Sequence, residues 1–357
     1  MSDTDDAITM SDNDDAITTS DTDDAVTTSN LEDAIIRVAS YHRRDFNLAV
    51  IHSDIAQDNP ELSLFKSFGR NPISNLGRLE ALPTELLTTV LLMCDIQSAF
   101  RFSHVNNRAR TLVASMWEYR KTREHALQCL WAAFKTNMAP NVGVSALYQA
   151  LVTETCSLCG AAFGRFFFLP TATQCCLPCL ERAPELAVLS LAQVCKATGR
   201  SRASLRQLLP VLHTIPGIYG MWETNRKRRG YFVSKAHCSE VLKVDLQEPL
   251  PTTTANPEPP LARYMAASSI PYLDMATGDI QIGLSCKGCQ AMLEATSTFS
   301  IEPFRRLRDK IYSREEFLAH FQQCHGAKVL WMSSKGGTVP FEEPEFTKRG
   351  GYFAERP

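Results

Sequence analysis

The reading of the fold turns on Leu79-Glu-Ala-Leu82-Pro83-Thr-Glu85-Leu86-Leu87-Thr-Thr-Val90-Leu91, followed by Asp95-Ile96 and a second apolar run. Pro83 has no N–H to lose at the first position of a helix, and its φ is preset to the helical value. Glu85 follows in the first turn, where a carboxylate favours the positive end of the helix dipole. Leu86, Leu87, Val90 and Leu91 form one apolar stripe at helical spacing. Met93-Cys94-Asp95 interrupts it, and Asp95 is placed to cap a second helix carrying Ile96, Ala99, Phe100 and Phe102. Asn106-Asn107 interrupts again before Leu112 and Val113. The pattern predicts three short helices within roughly 40 residues, too small a unit to bury a core of its own. It should lean on something else.

Outward from this stretch, the 357-residue chain has room for two domains and tails. Hydrophobic content of 44% and charged content of 21% are those of a soluble globular protein. The net charge of −2 conceals an asymmetry. Residues 1–36 hold ten Asp and one Glu with no Lys or Arg, so the remainder carries +9. That arm repeats with a nine-residue period from Ser2, Ser11 and Ser20 and offers few apolar groups, so it is expected to be disordered. Its Asp-x-Asp-Asp units lack the turn Gly and bidentate Glu of a calcium loop. Residues 37–75 read as a linker, 76–120 as the three-helix module, and 121–246 as a helical cysteine-rich domain. Residues 247–260, with five prolines and three consecutive threonines, read as a second linker. Residues 261–335 form a second cysteine- and histidine-bearing unit, and 336–357 an irregular tail. No signal peptide and no run of 18 apolar residues is visible. The expectation is an intracellular protein, cytoplasmic or nuclear, without membrane contact, whose twelve cysteines are thiols or metal ligands rather than disulfides.

The cysteines fall into two constellations. Cys156-Ser-Leu-Cys159 and Cys176-Leu-Pro-Cys179 have a zinc-site spacing. Two residues between cysteines let a tight turn aim both sulfurs at one point, and two such turns complete a tetrahedron of thiolates. Cys175 competes with Cys176 for the third position. The second group is Cys286-Lys-Gly-Cys289 with His320 and Cys324. Ser313-x-x-Glu316 is a capping box that starts a helix, Gly326 is placed to end it, and His320 and Cys324, four apart, share one face. His325 competes with Cys324. Zinc is the expected cofactor of both groups, in a structural role.

Leu-Pro-x-Glu-Leu-Leu, the acidic-Ile step, and Ser103-x-Val105-x-x-x-Ala109-Arg-x-x-Val113 together resemble the F-box, over roughly residues 75–120. Cys94 departs from the family pattern, which usually has a larger apolar residue there. The resemblance implies helices that dock on the Skp-type adaptor of a cullin ubiquitin ligase, with Leu82, Pro83, Leu86, Leu87 and Ile96 as adaptor-binding residues. A wider pattern includes Cys-x-x-Cys-Gly, Phe166-Phe-Phe-Leu-Pro170, Cys-x-x-Cys-Leu180, Leu209-Pro210, Ile215-Pro-Gly-x-Tyr219 and Leu284-Ser-Cys-Lys-Gly-Cys-Gln290. It resembles F-box proteins of filamentous fungi and implies a receptor for an unknown protein substrate. The expected fold is mainly α with small β elements: an F-box-like module, a zinc-supported α+β body and the acidic arm.

A rival reading comes from residues 190–209, which run helix, Gly turn, helix, with Arg202 and Arg206 on the second helix. This is the outline of a DNA-binding helix-turn-helix, and Arg226-Lys-Arg-Arg229 adds a basic run. A zinc-dependent DNA-binding regulator is therefore the alternative. Packing of this hairpin on the first cysteine group is the simpler expectation, which makes nucleic acid the less favoured partner. Phosphate-loop, nucleophile-elbow and zinc-protease motifs do not occur, and a tetrathiolate site is coordinatively closed. An enzyme is not expected.

Overall fold

The computed structural model describes residues 21–53, 74–247, 260–295 and 302–352. The arm at 1–20 and most of the Pro/Thr segment at 247–260, both expected to lack structure, lie outside the described residues. Helices dominate, with five small antiparallel sheets among the described residues.

The predicted helices of the decisive stretch form at Thr84–Leu92, Ile96–Ser103 and Asn107–Ser115. Asp95 caps the second by accepting from Ser98 N at 2.8 Å, and Asn106 caps the third through Ala109 N at 2.8 Å. Pro83 sits one position earlier than expected, as N-cap with extended ψ 147°, and the helix begins at Thr84. The module leans on its own chain. Ile96 N donates to Val142 O at 2.9 Å, Val144 N to Cys94 O at 3.1 Å, and Phe100 meets Phe134 with ring centroids 5.0 Å apart. Leu87, Leu91, Ile96 and Ala99 belong to one continuous core with Leu130, Leu147, Phe166 and Leu180. Packing does not change at residue 121.

At the middle of that core lies the strand Phe166–Phe168, between Thr173–Cys175 and Ala267–Ser269. All three phenylalanines are fully buried, as a strand covered on both faces requires. A second three-stranded sheet centres on Tyr231–Ser234, between Val188–Ser190 and Leu212–His213. Helices Leu191–Thr198 and Arg202–Leu208 pack on it, with Leu189, Leu191, Val194, Leu205, Leu209 and Val233 as a separate small core. The helical hairpin thus packs on its own sheet, not on the first cysteine group as expected.

Three expectations from the sequence need correction. The acidic arm does not remain apart up to residue 36: Asp21–Ala39 is a helix, and Ile35, Val38 and Ala39 at its end are buried. The physical reason is the run Ala34-Ile35-Ile36 and Val38-Ala39, which supplies the apolar face that the repeats lack. Residues 37–53 are not a linker. Ser40–Tyr41 pairs with Ser285–Cys286, Phe46 is fully buried, and Ile51 bridges Ser268. Nor is the tail wholly irregular: Glu345–Arg349 is a helix, and Gly350 O accepts from Arg44 N at 2.7 Å. Arg43 ties these pieces together. Its buried guanidinium forks onto Asp45 with both bonds at 2.8 Å, reaches Asp309 at 2.6 Å, and lies over the rings of Phe46 and Phe346.

Candidate functional site

The first cysteine cluster is built by a loop and a helix start. The bridge between Thr155 and Phe163 closes the loop that carries Cys156 and Cys159. Cys156 N donates to Ala162 O at 2.7 Å, and Gly160 N to Cys156 O at 2.8 Å. Gly160 takes φ +66°, a conformation that side chains resist. Cys176 follows the strand Thr173–Cys175 and is N-cap of the helix Leu177–Arg182, whose first turn carries Cys179. The four sulfurs lie within 4.8 Å of one another, with Cys159 and Cys176 at 3.9 Å. Cys175 is outside the group: one residue back along the strand, its side chain projects to the other face, where it is fully buried. Burial, and then the charge of neighbouring thiols, pushes Cys175 well above the usual thiol range.

The second cluster gathers three segments. Cys286 ends the strand Ser285–Cys286, and Cys289 lies in the first turn of the helix Lys287–Ala295. This is a strand-to-helix corner where the sequence suggested only a tight turn. His320 is on the capped helix Arg314–Phe321, and Cys324 is N-cap of the next helix, His325–Ser333. Gly326 therefore does not end a helix; it lies within the second one, against Gly288. A Cβ on Gly288 would fall 2.0 Å from Ala327 N, so two backbones meet there where only glycine fits. His325 is exposed and outside the cluster.

The distances test the fit to a metal. Cys324 Sγ lies 3.8 Å from Cys286 Sγ and 3.8 Å from Cys289 Sγ, and His320 Nε2 lies 3.4 Å from Cys289 Sγ. A tetrahedral ion with metal–sulfur bonds of about 2.3 Å sets its sulfurs roughly 3.8 Å apart. The donor set also fits electrostatically. In each cluster one thiol is drawn down by bonds from its neighbours and another is pushed up. Cys156 falls and Cys176 rises through the bond they share; Cys324 falls and Cys289 rises, each first through its bond with Cys286 and then through the bond between them. A dication would let the remaining thiols deprotonate together.

Tyr312 completes the second site, and spacing could not reveal it. Its ring stacks on His320 at 4.6 Å, and its hydroxyl lies 3.2 Å from His320 Nδ1. A proton on Nδ1 donated to that hydroxyl leaves the Nε2 lone pair directed at the cluster. This is the arrangement by which a ligating histidine is oriented.

The five adaptor residues read from the sequence separate into two sets. Leu82 and Leu86 are 41% and 53% exposed, and Pro83 is exposed beside them. Leu87 is 7% exposed and Ile96 1%. Leu87 and Ile96, on successive helices, are core residues, unavailable to a partner, because those sides of both helices face inward onto the chain's own body. The apolar stripe is in fact two: Leu87 and Leu91 point in, while Leu86 and Val90, one step round the helix, point out. Val90, Met93 and Leu79 extend the outward face at 55%, 81% and 43% exposure. The i, i+4 relation of Leu86 to Val90 was the available signal for Val90.

No curated protein and no solved structure matches this chain. Its helices from Thr84 to Ser115, with their bare outer face, lie within a stretch that does match a family model, and the chain carries an F-box domain at residues 79–121.

Proposed function

We propose that this protein is the substrate receptor of a Skp–cullin–F-box ubiquitin ligase. The observation that carries this is the F-box domain with its inner face sealed against the body and its outer face bare. Leu82, Leu86 and Val90 would form the centre of the adaptor interface, with Pro83 fixing the helix entry. Anchors buried in such centres are worth ~2 kcal/mol or more each. Transfer chemistry would belong to the partner enzymes, and the body would hold a target protein. Both cysteine groups would carry structural zinc: Cys156, Cys159, Cys176 and Cys179 in one, Cys286, Cys289, His320 and Cys324 in the other. Zinc there supplies folding energy and no reaction. The resemblance to fungal F-box proteins supports the same assignment, as an intracellular receptor. The test is capture of a Skp-type adaptor by the full chain, compared with a Leu82→Ala/Leu86→Ala/Val90→Ala variant. Wild type should bind and the variant should not, with both equally folded.

A further inference from the structure

The excess positive charge of the body is concentrated in one place. Between residues 186 and 236 the chain holds nine Lys or Arg and one Glu, which accounts for nearly all of the +9 carried behind the acidic arm. Only Lys235 of the nine forms a salt bridge among the described residues, with Asp245 at 3.1 Å. This region is the unit with its own small core: the helix pair joined at Gly199 and the sheet centred on Tyr231–Ser234. A hairpin, Gly217–Tyr219 with Thr224–Arg226, projects beside them. Arg202 and Arg206, four apart on the second helix, are exposed, as is the whole run Arg226-Lys227-Arg228-Arg229 that leaves the hairpin.

The two basic stretches converge. The Arg206 guanidinium lies 4.9 Å over the Tyr231 ring, and Tyr231 is two residues beyond Arg229. His213 packs edge-on against the same ring at 5.0 Å. Its pKa is lowered by burial and then by the positive charges of both Arg206 and Arg229. A second helix and a hairpin arm therefore present cations on one surface, and none of Arg202, Arg206, Arg226, Lys227, Arg228 and Arg229 forms a salt bridge among the described residues. Charges held so are costly through mutual repulsion unless a polyanion covers them.

We propose that the surface formed by the helix Arg202–Leu208 and the run Arg226–Arg229 binds duplex DNA, the helix against a groove and the run on the phosphates. The helix carries no acidic residue, and Ala203, Gln207 and, at its end, Leu208 are its other exposed groups beside the arginines. Such a helix can enter a major groove with flanking cations on the backbone. This surface is independent of the F-box face.

The experiment is fluorescence anisotropy of full-length, metal-loaded protein with a labelled 20-base-pair duplex between 50 and 200 mM salt. With roughly five phosphates neutralised, log–log slope should be about −4 to −5, an affinity loss of ~10²–10³ across that range. Arg226→Ala/Arg228→Ala/Arg229→Ala should weaken binding and reduce the slope by about 3. A control with equal loss of exposed charge elsewhere, Lys328→Ala/Lys348→Ala/Arg349→Ala, should change neither. The same positions changed to Lys should keep the slope, since phosphate contacts need only charge, and circular dichroism should show every variant folded. Three results would overturn the proposal: a slope shallower than about −2, equal binding by the triple-Ala variant, or equal affinity for an acidic peptide. Tighter binding of a single strand, lost in Trp222→Ala, would also overturn it, since that indole is 61% exposed on the hairpin and would then be the stacking platform.

Discussion

Two helix packings in this molecule are treated in opposite ways. Around the second cysteine cluster, helices Lys287–Ala295 and His325–Ser333 approach until the backbones touch at Gly288 and Gly326. Ile35, Tyr312, Phe317 and Phe321 seal the apolar surface around them. At the F-box, the helix Thr84–Leu92 buries Leu87 and Leu91 and leaves Leu86 and Val90 in water. The same chain that brings an N-terminal helix across to close one site leaves the other open. Scattered exposed leucines need no explanation, but these continue from Leu79 through Leu82 to Met93 along one face. An uncovered apolar face of that kind marks a docking surface. The closed region holds the fold, and on the proposed reading the open one is where the adaptor docks.

The largest expected effect comes from breaking the closed side. Stripping metal with a strong chelator, or Cys289→Ser combined with Cys324→Ser, should abolish the cooperative unfolding transition, because structural zinc contributes ~10–16 kcal/mol where it has been measured in isolated sites. Elemental analysis of the intact protein should give two zinc ions per chain, and a folded metal-free preparation would contradict the closed side of the comparison. Next comes the clamp that fastens the N-terminal segment beside this cluster. Arg43→Ala strands the buried carboxylate of Asp45 and should cost about 3–5 kcal/mol in denaturant titration. Burial pushes Asp309 up, but Arg308 and Arg43 hold its carboxyl below 3.8. Its contribution to stability is therefore complete above that pH and fades as pH falls below it. In the Arg43→Ala protein this acid-dependent loss should be smaller, because the folded carboxyl moves back up toward its unfolded value.

The sharpest contrast lies within a single helix. Leu87→Ala should cost about 2–5 kcal/mol of stability by opening a cavity in the core, and its outward neighbour Leu86→Ala within ~0.5 kcal/mol. Adaptor binding should show the reverse order, and equal stability losses would erase the distinction between the two faces. The smallest effect is expected at Tyr312→Phe. It removes only the hydroxyl that fixes the His320 tautomer, so metal affinity at the second site should fall roughly 10–100-fold, with about 1.4–2.7 kcal/mol of zinc-linked stability lost alongside it. Competition with a chromophoric chelator reads that difference.

Local signals explain what the sequence disclosed. Asp95 and Ser313 cap helices where the pattern placed them, since a cap is decided by neighbours two or three residues away. The four cysteines of the first cluster lie within 24 residues, close enough for spacing to suggest that they meet. The choice of Cys176 over Cys175 needed strand alternation, which depends on the partner strands. Phe46 and Arg43 gave no sign of their positions, because their partners are far away in sequence: Phe46 meets Phe166, and Arg43 meets Asp309 across 266 residues. The division of Leu86 from Leu87 was hidden for a related reason. Both fit a helical stripe, and only the position of the body, through Val142 and Phe134, decides which side faces inward.

The central claim is that the bare face of the F-box binds an adaptor. The direct measurement is isothermal titration of a purified Skp-type adaptor into the full-length, zinc-loaded protein. The account expects a one-to-one complex with the heat-capacity decrease of apolar burial. It expects no binding by a folded Leu82→Ala/Leu86→Ala/Val90→Ala variant. A folded wild-type protein that gives no complex, or a variant that binds as well as wild type, would contradict it.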